Sequence, residues 1–74
     1  MKMHERIRQY ILNNGLKINY VAEKSNIELK RFYRVINGET KLLADDFELI
    51  CEGLGVAPEI FFKNNFLETK KITA

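Results

Sequence analysis

Gly15-Leu16-Lys17-Ile18-Asn19-Tyr20-Val21-Ala22-Glu23-Lys24-Ser25-Asn26-Ile27-Glu28-Leu29-Lys30-Arg31-Phe32-Tyr33-Arg34-Val35-Ile36-Asn37-Gly38 is two short helical patterns joined by a corner. Over 18–24, Ile18, Val21, Ala22 and Ser25 fall on one side of a helix; over 28–36, Phe32, Val35 and Ile36 do the same. Ser25-Asn26-Ile27 reads as a tight turn between them, because Asn tolerates positive φ better than most residues. Ala22 is small enough for the second helix to cross closely, and Ile27 plugs the corner. One face of the second helix is left over, carrying Leu29, Lys30, Tyr33 and Arg34 with Arg31 at its edge. A helix that projects long cationic side chains from a compact support fits the major groove of DNA, about 12 Å wide.

On either side of this stretch the same 3.6-residue period continues and no run alternates like a strand. A first helix over 3–14 places Met3, Ile7, Tyr10, Ile11 and Asn14 on one stripe and stops at Asn14-Gly15. A fourth, over 44–53, has Phe47, Ile50, Cys51 and Leu54 at i, i+3, i+4 and i+7 and ends before Gly55. Pro58 opens a short fifth helix through Phe62. The expected fold is all-α, a compact five-helix bundle over residues 1–62, with residues 63–74 as a tail around Phe66-Leu67.

With 74 residues there is room for one small domain. A lone Cys51 excludes an internal disulfide and a Cys-rich zinc module and suits a reducing cytoplasm. The longest apolar run, Ile60-Phe61-Phe62, is far too short for a membrane span. Net charge is only +2, but it is unevenly spread. Residues 1–37 carry eight Lys and Arg against three Glu, and residues 38–74 carry four Lys against seven acids. A cationic N-terminal half points to a polyanionic partner such as double-stranded DNA, the alternative on charge alone being ordinary solvated helix faces.

The chain resembles the helix-turn-helix domains of phage repressor and Cro proteins, the XRE type, over residues 3–62. Gly15, Leu16, Val21, Ala22, Ile27, Phe32, Val35 and Gly38 fall in register with that pattern, as do Phe47, Ile50, Cys51, Leu54, Gly55, Val56 and Phe61. The resemblance implies a lambda-repressor-like bundle with its helix-turn-helix at helices 2 and 3. It implies base contacts from Leu29, Lys30, Tyr33 and Arg34, and phosphate contacts from Lys17, Asn19, Arg31, Asn37, Gly38 and Lys41, those at Asn37 and Gly38 through backbone N–H. It also implies a homodimer, for which Ile60, Phe62, Phe66 and Leu67 are the candidate interface residues. The departures are specific. Ile18 stands where the family favours Gln, Asn26 where it favours Gly, Glu28 where it favours a Ser or Thr N-cap, and Ile36 where it often keeps Glu. A rival local reading takes Ser25 as the N-cap, with Glu28 closing a capping box.

The remaining residues point to structure. His4 reads as a surface residue, Cys51 as a packed thiol, and Asp45-Asp46 as the charged first turn of helix 4. No arrangement suited to nucleophilic or acid–base catalysis is present, and no cofactor, metal or small-molecule ligand is expected. The functional expectation is a cytoplasmic, sequence-specific DNA-binding regulator that represses by occupying a palindromic operator. The competing expectations are a protein-interaction module on the same fold, fed by Ile18 and Glu28, and the antitoxin of a toxin–antitoxin pair.

Overall fold

The computed structural model describes residues 1–62, and these form four α-helices and one 3-10 turn. They are α1 (Met3–Asn13), α2 (Ile18–Lys24), α3 (Leu29–Ile36) and α4 (Ala44–Leu54), with the 3-10 turn over Pro58–Phe61. No strand occurs among the described residues. The expected fifth helix is therefore corrected to a single turn. Ile60 N–H reaches back three residues to the Ala57 carbonyl, and Phe62 N–H to that of Glu59. Four residues opened by a proline complete too few backbone bonds to repay α-helix nucleation, and the tighter turn suffices to drive Phe61 inward.

All four α-helices stop in the same way. The residue that leaves the helix takes positive φ, and it and its successor return their N–H groups to the last turn. For α2, Asn26 N–H donates to Glu23 O at 3.1 Å and Ile27 N–H to Ala22 O at 3.1 Å, with Asn26 at φ 59°. This is a Schellman motif, and it places Ile27 against the apolar side of the helix it has just left. Gly15, Gly38 and Gly55 play the role of Asn26 at the other three ends. The starts of α1 and α4 are marked by acids in the third position: Glu5 accepts from Lys2 N–H at 2.7 Å, and Asp46 from Leu43 N–H at 3.1 Å. The Lys2 hydrogen bond is the main reason the Glu5 carboxyl titrates below its ordinary range.

The core is Ile7, Ile11, Val21, Ala22, Phe32, Ile36, Ile50, Cys51 and Phe61. α2 packs chiefly on α4, while α3 lies across α1 and α2. Phe61 closes the assembly, its ring edge-on to Tyr10 (centroids 5.6 Å) and to Phe47 (6.1 Å). Arg6 Nη1 donates to the Phe61 carbonyl at 2.7 Å, tying α1 to the turn. The radius of gyration, 11.3 Å, is that of a closely packed chain of this length, about 11 Å. No helix among the described residues is long and apolar enough to cross a membrane.

Two close approaches depend on missing side chains. Gly53 of α4 lies against Ser25, so that a Cβ there would meet the Ser25 hydroxyl and come within 2.8 Å of its backbone nitrogen. Gly38 lies beneath the imidazole of His4. His4 is accordingly half-buried, not the surface residue expected from its place near the terminus. With Met1, Glu5, Arg8, Gln9, Ile36 and Asn37 it lines an open cleft of about 300 Å³.

Candidate nucleic-acid interface

α3 begins after Glu28, whose extended backbone (φ −57°, ψ 139°) lets its carbonyl accept from Phe32 N–H at 2.9 Å. The Glu28 carboxylate makes no capping bond. Ser25 belongs to the end of α2, with its hydroxyl buried and unpaired among the described residues, so the alternative capping box from Ser25 to Glu28 does not form.

Phe32, Val35 and Ile36 are buried and fasten α3 to the bundle. The opposite face is open: Leu29 is 41% exposed, Tyr33 44%, and Lys30 and Arg34 are exposed as well. Leu29, which its i, i+3 spacing could have put against Phe32, stays largely outside the core. Residues 29 and 33, and 30 and 34, are each one turn apart, so the four side chains form a single patch. Lys30 and Arg34 are like charges at i, i+4, a spacing that weakens a helix by a few tenths of a kcal/mol. Among the described residues neither has an ion-pair partner. The positive end of that patch is therefore offered to solvent at a small penalty to the helix.

The residues expected at phosphates divide into three groups. Lys17 precedes α2 as its N-cap, Asn19 lies in the first turn of α2, and Lys41 lies in the segment between α3 and α4; all three are exposed. Asn37 and Gly38 are also exposed, but their amides are used internally. Asn37 N–H donates to Tyr33 O at 3.0 Å and Gly38 N–H to Val35 O at 3.1 Å. The helix end itself consumes these donors, so the expectation of backbone N–H contacts from this pair is corrected. The Asn37 side chain is the group left to meet an anion.

Arg31 has a different environment from its neighbours. Its guanidinium grips Asp46 of α4 with both terminal nitrogens, Nη2 to Oδ2 at 2.8 Å and Nη1 to Oδ1 at 3.3 Å. Asp46 simultaneously accepts from Leu43 N–H, and its side chain is only 10% exposed. Sequence reading anticipated Asp46 at the start of α4 but not this partner. The acid at the third helical position was a legible signal; which cation the packing would bring to it was not.

At the proposed dimer face, Phe62 is 55% exposed and stacks on Phe47, centroids 6.1 Å apart. Ile60 is half-buried against the core. Phe66 and Leu67 lie outside the described residues. Cys51, buried in α4, has its thiol pushed up to about 11 by desolvation, which suppresses the thiolate needed of a nucleophile or ligand. No group of three or more His, Cys, Asp or Glu among the described residues could hold a metal ion. Comparison with models of known families, with curated proteins and with solved structures finds no match for this chain.

Proposed function

We propose that this protein is a sequence-specific DNA-binding regulator of the phage repressor and Cro kind, with α2, the Asn26 corner and α3 acting as a helix-turn-helix. One observation carries the reading: a cationic face, unpaired among the described residues, on a helix whose other face is locked into the core. In this reading α3 enters the major groove. Arg34 or Lys30 donates to the O6 and N7 of a guanine, Leu29 rests on a thymine methyl, and Tyr33 lies along the groove wall. Lys17, Asn19, Asn37 and Lys41 fix the register by contacting phosphates. The exposed Phe62 supports pairing of two copies on a palindromic operator, with half-sites about one DNA turn apart.

The test is selection of bound duplexes from a random library, followed by anisotropy titrations of two variants. Arg34→Ala is expected to relax preference at one base position, a loss of about 1–3 kcal/mol on the selected site. Lys41→Ala is expected to weaken all duplexes alike. Identical binding by parent and both variants would refute the assigned roles.

A second reading has its own support. Leu29 and Tyr33 present apolar surface on the same face, beside the anionic Glu28, a mixture that also suits a protein partner. Absence of micromolar binding to random duplex at low salt would favour it.

A further inference from the structure

We propose that Arg31 and Asp46 form a neutral clamp that sets the pitch of α3, so that Arg31 is a positioning residue for DNA recognition and not a phosphate contact. This inference rests on the DNA-binding reading, and it reassigns one residue within it. Three donors converge on one carboxylate: two from Arg31, at 2.8 and 3.3 Å, and the Leu43 N–H at 3.1 Å. Leu43 immediately precedes α4, so the same carboxylate starts that helix and holds the third residue of α3. Between the two elements runs the segment that bears Lys41. The clamp therefore fixes the helix proposed to read bases relative to the segment proposed to hold the backbone.

Charge accounting separates a clamp from a contact. A planar guanidinium held by two parallel bonds is oriented as well as neutralised. A neutral pair releases no condensed counterion when DNA approaches, whereas a phosphate contact contributes about 0.9 to the slope of log affinity against log salt. Lys30 and Arg34 carry no such partner among the described residues, so the distinction falls within a single helix.

The experiment uses the double variant Arg31→Gln/Asp46→Asn, which keeps the net charge of the pair, together with Arg31→Lys. The parent's salt slope is expected to be retained by the double variant within a few tenths. Affinity for random duplex should stay within about threefold, while discrimination of the selected site falls several-fold. Arg31→Lys keeps the charge but loses the two-pronged grip, and should lose discrimination in the same way. A slope shallower by about 0.9 in the double variant, with full discrimination retained by Arg31→Lys, would overturn the clamp. If the parent binds no duplex, the DNA reading fails, and the clamp is judged by thermal midpoints of both single variants and the double. Non-additive shifts sustain it; additive shifts overturn it.

Discussion

At the scale of single residues, Gly53 and Ser25 show how contact geometry outweighs intrinsic preference. Ala is favoured over Gly inside a helix by about 1 kcal/mol. At position 53 the added methyl would meet the backbone of Ser25, with its Cα at 2.9 Å, and backbone cannot swing aside as a side-chain tip can. We expect Gly53→Ala to destabilise the domain by up to about 2 kcal/mol in denaturant titrations, after its propensity gain is subtracted from overpacking of about 1–3 kcal/mol. Ser25→Ala should not rescue it, because the clash with the Ser25 backbone remains. Cys51 makes a prediction about pH. Its folded value, about 11, lies above the ordinary 9.0, so the native state binds the thiol proton more tightly than the unfolded chain does. The associated stability is complete below about pH 9 and is lost as pH rises towards 11. Replacing Cys51 by Ala should remove that part of the alkaline decline, as read by thermal midpoints between pH 8 and 11.

At the scale of elements, the corner between α2 and α3 turns on one dihedral angle. Asn26 at φ 59° supports both returning hydrogen bonds, and the short side chain of Asn makes that region tolerable. A residue without that aptitude should weaken the corner. We expect Asn26→Ala to cost about 1 kcal/mol and Asn26→Gly to leave stability nearly unchanged, in parallel urea titrations. Boundaries at this scale were readable because helix ends are local events. The expected stops at Gly15, Asn26, Gly38 and Gly55 match the four positive-φ residues at the helix ends. A proline start and two following aromatics look alike for a helical turn and a 3-10 turn, so the residues alone point to a short fifth element without fixing its type. Phe61 packs between Tyr10 and Phe47, a contact that exists only once α1 and α4 are in place.

At the scale of the whole molecule, the proposed partner has a measurable electrostatic consequence. Lys17, Lys30, Arg34 and Lys41 are exposed, whereas Arg31 is neutralised by Asp46. Lys17 and Lys41 of two paired copies, four phosphate-neutralising cations, give a salt slope of about −3 to −4, or about a hundredfold loss of affinity between 50 and 200 mM salt. Anisotropy titrations over that range test the count, and a slope near zero would exclude the polyanion partner.

The candidate patch was legible in the residues because helical periodicity puts Leu29, Lys30, Tyr33 and Arg34 opposite Phe32, Val35 and Ile36 whatever the helix packs on. Helix ends, the buried stripe and the open stripe are set by interactions within about five residues, so the order of amino acids alone determines them. The Arg31–Asp46 grip, the seat of Ser25 on Gly53, the His4 ring over Gly38 and the tie from Arg6 to the Phe61 carbonyl each join residues far apart in the chain. Only the packed arrangement of helices selects such partners, because a long polar side chain reaches many positions and the fold leaves it one.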